Sequence, residues 1–75
     1  MEVSLNHLRP GNSGVIVAVG GCGTLNARLR AVGLLPGTRL RCSERSGNGQ
    51  VTALLVDNRC IRLQTRDLEK IRVRL

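Results

Sequence analysis

The chain has 75 residues, of which 41% are hydrophobic and none aromatic, and its net charge of +7 is carried almost entirely by arginine. This length allows one small domain with an aliphatic core, which we expect to span residues 1–75. No run of about 20 apolar residues could cross a membrane, and the N-terminus lacks a signal-peptide pattern. Three widely spaced cysteines do not resemble a disulfide framework. Together these features predict a cytoplasmic protein with reduced thiols.

The first elements are a turn and a strand. The segment "RPGNSG" combines proline, glycine and asparagine in the way that is typical of turns. The apolar run from Gly14 to Gly21 follows, and its length and β-branched content predict a buried strand.

A short amphipathic helix is predicted next. Thr24 is a plausible N-cap, and one helical face then carries apolar residues at i, i+4 and i+7. Gly33 stands where a left-handed residue ends a helix, and Pro36, followed by Gly37, prevents its continuation. These three residues are therefore predicted to have structural roles. The apolar helical positions are Leu25, Leu29 and Val32.

The second half of the sequence predicts further short strands that are joined by tight turns. "SGNG" (residues 46–49) and the pair Asp57 and Asn58 are hairpin turn signals, and Thr65 could cap a single helical turn. The sum is about five strands and one inserted α-helix, so we predict a mainly β fold: a small SH3-like barrel. The predicted strands are Thr38–Ser43, Gln50–Val56, Arg59–Gln64 and Ile71–Leu75.

Few residues are suited to catalysis or to the binding of a nucleotide or a metal. The glycine-rich loop before the helix lacks the third glycine and the acidic residue of a dinucleotide site, and there is no phosphate-loop Gly-Lys-Ser/Thr. No nucleophile and base, or close pair of carboxylates, is evident, so we predict that the protein is not an enzyme. The residues that could bind a metal lack close ligand pairs, and we predict no metal site or cofactor. They are His7, Cys22, Cys42 and Cys60.

The arginines suggest a binding surface. They alternate with inward apolar residues, so a curved sheet could gather them on one basic face. A nucleic-acid-binding barrel is the alternative that this charge favours, although no aromatic residue is present to stack on bases. The outward residues of this face are Arg39, Arg41, Arg62, Arg72 and Arg74.

The order of motifs resembles the ferrous iron transport protein A family. The matching segments are "LNHLRPGNSGVIVAV", "RLRAVGLLPGTRLRC" and "IRLQTRDLEKIRV", which together cover essentially the whole chain. Gln64 departs from the pattern, because the family usually has arginine there. The matching positions are Leu5, Leu8, Gly11, Gly14, Arg28, Leu29, Gly33, Leu34, Pro36, Gly37, Ile61, Leu63, Ile71 and Val73.

The resemblance implies a small SH3-like accessory protein of bacterial ferrous iron uptake. Such a protein would act by contact with the cytoplasmic domain of the membrane GTPase-coupled iron permease, as a monomer or weak homo-oligomer. For the contact we favour the helix surface of Asn26, Arg28 and Arg30 with the "LLPG" loop, in which at least one leucine should be exposed. The predicted partner-binding residues are Arg28, Arg30, Leu34, Leu35, Arg39 and Arg41.

Overall fold

A computed structural model describes residues 1–21 and 23–75, which form six strands of one antiparallel sheet, one α-helix and two short 3-10 helices. The strand order in the sheet is β1-β6-β2-β3-β4-β5. The elements are β1 (Glu2–Ser4), a first 3-10 helix (Leu5–His7), β2 (Ser13–Val19), α1 (Gly23–Ala31), β3 (Arg39–Arg45), β4 (Val51–Val56), β5 (Arg59–Gln64), a second 3-10 helix (Thr65–Lys70) and β6 (Ile71–Arg74).

The mainly β prediction is confirmed, but the described residues form six strands rather than about five. The additional strand is β1, which pairs with β6 through Val3 and Val73 at the edge of the sheet. A strand of three residues is too short to display an alternating pattern, so the sequence gives no signal for it. The other predicted strands differ from β2–β6 by at most two residues at each end.

Both predicted hairpin turns are present. Asp57 and Asn58 have φ values of 50° and 66°, so both occupy the left-handed region that a two-residue hairpin with a type I′ turn requires. In the other hairpin, the Gly49 amide donates to the Ser46 carbonyl at 2.8 Å. These turns fix the registers of β3 with β4 and of β4 with β5.

The C-terminal end of α1 is a Schellman motif. The Leu34 amide donates to the Leu29 carbonyl and the Gly33 amide to the Arg30 carbonyl, both at 3.0 Å. Gly33 has a φ of +97°, the left-handed conformation that was predicted at this position. The helix start was predicted wrongly: α1 begins at Gly23, so Thr24 lies within its first turn and is not the cap.

One aliphatic core lies between the sheet and the helices. The predicted helical face packs against it, and Cys42 is fully buried there, as expected from its alternation with Arg41. Burial raises the pKa of the Cys42 thiol, and the nearby positive charge of Arg45 opposes this effect. The core residues are Leu5, Leu8, Ile16, Leu29, Leu34, Leu40, Cys42, Leu54, Val56, Leu68, Ile71 and Val73.

A β-bulge in β3 changes the side to which its last residue points. The register with β4 shifts between Cys42 and Glu44, so Arg45 pairs with the inward-facing Thr52. The Arg45 guanidinium donates to the Thr52 hydroxyl and to the Leu8 carbonyl, each at 2.9 Å. The bulge therefore connects β3 to the neighbouring strand and to the segment after the first 3-10 helix.

Thr65 has a different role from the predicted one. Its hydroxyl oxygen lies 2.7 Å from the hydroxyl oxygen of Thr52, and Gln64, not Thr65, precedes the second 3-10 helix as its cap residue. The prediction was wrong because the Thr65 side chain joins the network of Arg45 instead of binding its own helix.

Among the described residues, no helix has the length and apolar character that crossing a membrane would require.

Candidate functional site

The loop after α1 presents one leucine to solvent. Thr38 donates to the Leu35 carbonyl at 3.0 Å, and Gly37 has a φ of +92°, which defines a type II turn with Pro36 and Gly37 at its centre. The Gly37 amide also donates to the Ile16 carbonyl at 2.7 Å, which fastens the turn to β2. Leu35 is 40% exposed at the first position of this turn. Pro36 and Gly37, for which the sequence predicted structural roles, form the centre of this turn.

Leu34 cannot contribute to a contact surface. Its side chain has no exposed area and packs in the core next to the end of α1. Its assignment as a partner-binding residue is therefore corrected, because the Schellman motif directs it inward as the apolar partner of Leu29. Of the two adjacent leucines, only Leu35 remains accessible.

The helix surface predicted from Asn26, Arg28 and Arg30 is not one surface. Asn26 and Arg30 lie one turn apart and are joined by a 2.8 Å hydrogen bond from the guanidinium to the amide oxygen. Asn26 in turn donates to the Val19 and Gly20 carbonyls at the end of β2. Arg28 is 200° of helical rotation away from Arg30, so it points to the other side of α1.

The outer side of the sheet carries a second exposed leucine. Arg39 and Arg41 are exposed on β3, as predicted, and their neighbours Leu40 and Cys42 are buried. Leu55 of β4 is directly opposite Arg41, and it is 40% exposed, like Leu35. The β4–β5 register places Cys60 on the other side of Leu55. This arrangement is an apolar residue beside an arginine, which the sequence analysis did not identify.

The predicted basic face is partly continuous. Val15 of β2 pairs with Arg39 on one side and with Arg74 on the other, so these two exposed arginines flank a single residue. Arg62 lies farther along the sheet, on β5, where it forms a 3.3 Å ion pair with Glu44. Because both side chains of this pair are more than half exposed, its contribution to stability is small.

Two further arginines were missed by the sequence analysis. Arg59 donates to the Val32 carbonyl at 3.2 Å and so contacts the C-terminal end of α1. Arg66 lines a cleft together with Arg28 and Arg62. Arg59 begins β5 and Arg66 lies in the second 3-10 helix, and their spatial neighbours on α1 are far away in the sequence, so alternation alone could not assign them.

The residues considered as metal ligands are not gathered. Within residues 1–21 and 23–75, no group of three or more His, Cys, Asp or Glu side chains is close enough to hold a metal ion. Cys42 is buried and Cys60 is exposed on β5. The prediction for Cys22 lies outside the described residues.

Comparison with known proteins identifies the family. A family model described as the FeoA domain matches residues 3–75. The chain belongs to the FeoA domain family. A comparison with curated proteins gave no significant match.

Solved structures of FeoA proteins have the same fold. An iron uptake regulatory protein (FeoA) is 24% identical, with a TM-score of 0.87 over 99% of this chain and 96% of that one. Iron(II) transport protein A from Clostridium thermocellum is 26% identical, with a TM-score of 0.92 over 97% of this chain and 45% of that one. FeoA from Stenotrophomonas maltophilia, a prokaryotic SH3 domain protein crystallised with zinc, is 20% identical, with a TM-score of 0.84 over 96% and 89% of the two chains.

These similarities confirm the resemblance and the SH3-like fold that the sequence predicted. The FeoA domain family is linked to ferrous iron transport, and its members are non-catalytic accessory domains. The prediction that this FeoA domain is not an enzyme is therefore confirmed.

Proposed function

We propose that this chain is a cytoplasmic accessory protein of bacterial ferrous iron transport, acting as a single SH3-like domain that contacts the GTPase-coupled iron permease. The observation that carries the proposal is the match of the FeoA domain family to residues 3–75. The family's link to ferrous iron transport and its non-catalytic nature favour a role through protein–protein contact.

The contact surface that we propose is centred on Leu35. An exposed leucine in a turn with two backbone hydrogen bonds is already ordered before binding, which lowers the entropic cost of association. We assign Arg28 and Arg30 of the preceding helix to the charged surroundings of this contact, although they project from opposite sides of α1. Arg39 and Arg41, beside Leu55, form the competing surface.

A comparison of Leu35→Asp with Leu55→Asp tests this choice. The two leucines are equally exposed, and the aspartate at position 55 would face Arg41, its cross-strand neighbour. We expect Leu35→Asp to weaken binding to the cytoplasmic domain of the permease by roughly five- to thirtyfold, since loss of an apolar contact centre costs about 1–2 kcal/mol. Leu55→Asp should bind as the unmodified protein does, with folding of both variants checked by circular dichroism.

The opposite pattern would move the interface to the outer side of the sheet. If Leu35→Asp is folded and binds normally whereas Leu55→Asp does not bind, the surface of Arg39, Arg41 and Leu55 is the site. Normal binding by both variants would contradict both surfaces. Measurement of Fe²⁺ uptake in cells that carry each variant gives an independent readout.

Nucleic-acid binding is the second candidate function, and the observation that favours it is the pairing of Arg39 and Arg74 about Val15. Binding through several phosphates falls steeply as salt increases. We expect a titration with duplex DNA and with RNA to give only weak binding that disappears at physiological salt. Tight binding that persists there would favour this function over the permease contact.

A further inference from the structure

A cleft of about 520 Å³ separates α1 from β5 and the second 3-10 helix. Thr24, Leu25 and Arg28 line it on the helix side. Residues from the end of β5 and the start of the 3-10 helix line the other side. These are Arg62, Leu63, Gln64, Arg66 and Asp67.

The charge of the cleft is positive. Three arginines face one carboxylate, Asp67, and among the described residues neither Arg28 nor Arg66 has a carboxylate within ion-pair distance. Arg66 is oriented by a 2.9 Å hydrogen bond from its Nε to the Gln64 side-chain oxygen. Arg62 is paired with Glu44, but this pair is exposed and so can be exchanged for another carboxylate at little cost.

The backbone of β5 also has a free edge at this cleft. Among the described strands, β5 is the last in the sheet and pairs with β4 alone. In the two-residue hairpin, Val56 and Arg59 form a hydrogen-bonded pair. From there, non-hydrogen-bonded and hydrogen-bonded pairs alternate along β4 and β5. The 2.8 Å bond from the Thr65 amide to the Gln50 carbonyl continues that pattern. The backbone groups of Arg62 and Gln64 therefore point away from β4.

We propose that this cleft binds an acidic segment of a partner protein, which adds to the free edge of β5 in an extended conformation. An added strand would take hydrogen bonds from the backbone at Arg62 and Gln64. Its carboxylates, about 7 Å apart on one side of an extended chain, would pair with Arg28 and Arg66. The chemistry of the cleft thus specifies an acidic partner peptide, independently of whether Leu35 contacts the permease.

A synthetic peptide in which Glu and Thr alternate, labelled with fluorescein, tests the proposal by fluorescence anisotropy at low salt. The control peptide has Gln in place of each Glu. We expect the Glu peptide to bind several-fold more tightly than the control. Arg28→Gln and Arg66→Gln should each weaken binding by about two- to fivefold, the range for exposed charge pairs. Arg72→Gln changes the net charge equally at an exposed position of β6, away from the cleft, and should have little effect.

Two measurements address the strand addition. The backbone amide resonances of Arg62 and Gln64 should shift when the Glu peptide is added, and N-methylation of alternate peptide amides should weaken binding several-fold. No binding, normal binding of the N-methylated peptide, or equal weakening by Arg72→Gln and Arg28→Gln would each overturn the proposal. Tighter binding of single-stranded DNA with the same dependence on Arg28 and Arg66 would also overturn it, in favour of a nucleic-acid site.

Discussion

Gly33 has a backbone conformation that other residues adopt only with strain. Its φ is +97°, and an added Cβ would lie 2.9 Å from a terminal nitrogen of Arg59. The Arg59 side chain can move away, so most of the cost comes from the φ angle. We expect Gly33→Val to lower the free energy of unfolding by about 1–3 kcal/mol, measured by thermal and urea denaturation.

The matched control for this glycine is Gly47. It has ordinary φ and no atom within 4 Å of an added Cβ, so Gly47→Val should change stability much less. In a Gly33→Val, Arg59→Ala double variant, only a small part of the loss should be recovered, because removing the Arg59 side chain relieves the contact and leaves the backbone strain. A Gly33→Val protein with an unchanged melting temperature would show that the end of α1 does not depend on a glycine at position 33.

Arg45 holds β3 against two other parts of the fold. It donates to the Thr52 hydroxyl on β4 and to the Leu8 carbonyl, and Thr52 is itself in contact with Thr65. We expect Arg45→Met to lower the free energy of unfolding by about 1–3 kcal/mol, because Thr52 and the Leu8 carbonyl would lose hydrogen bonds that solvent reaches poorly. Urea denaturation of the purified variant measures this loss.

Arg41→Met provides the control on the same strand. Arg41 is exposed and takes part in neither ion pair of the described residues, so its replacement should change the free energy of unfolding by less than about 0.5 kcal/mol. If the two variants are equally stable, the Arg45 contacts do not stabilise the fold. A Thr52→Val variant should lose stability as well, because it removes the hydroxyl that joins Arg45 to Thr65.

The contrast between these two arginines also explains what the sequence could predict. Alternation along β3 correctly assigned Leu40 and Cys42 to the core and Arg39 and Arg41 to the surface. It did not reach Arg45, because the predicted strand ended at Ser43 and the bulge beyond it inserts one residue that reverses the alternation. No local composition signal marks this bulge, whereas the turn at Asp57 and Asn58 and the end of α1 have residue types that their backbone angles require.

For the molecule as a whole, the sequence predicted the family, the SH3-like fold and the accessory role, because whole-chain motifs specify them. The candidate site was predicted less well. Leu35 was already among the predicted contact residues, and it is exposed. The exposed Leu55 and the cleft at Arg28 and Arg66 were not predicted, because they depend on which distant elements become neighbours. Alternation gives the side of a strand or helix on which a residue lies, but it does not give the residue of another element that lies next to it.

The overall charge predicts how stability responds to salt. The chain carries +7, and the described residues form two ion pairs, Arg62 with Glu44 and Arg74 with Glu2, whose side chains are at least 45% exposed. Repulsion among the remaining arginines therefore outweighs these weak attractions. Salt screens both the repulsion and the ion-pair attractions, and the repulsion is the larger of the two. We therefore expect the melting temperature to rise by about 4–8 °C between low salt and about 0.5 M NaCl, which corresponds to about 1 kcal/mol for a domain of this size.

Arg72→Glu provides the matched test of this cause. The substitution lowers the net charge from +7 to +5 at an exposed position of β6 that takes part in neither ion pair, so its own structural effect should be small. Its melting temperature should rise less steeply with NaCl than that of the unmodified protein, because less repulsion remains to be screened. A melting temperature that falls with salt would mean that the two surface ion pairs dominate. An equal salt dependence in both proteins would mean that preferential exclusion of salt from the surface, rather than charge repulsion, causes the rise.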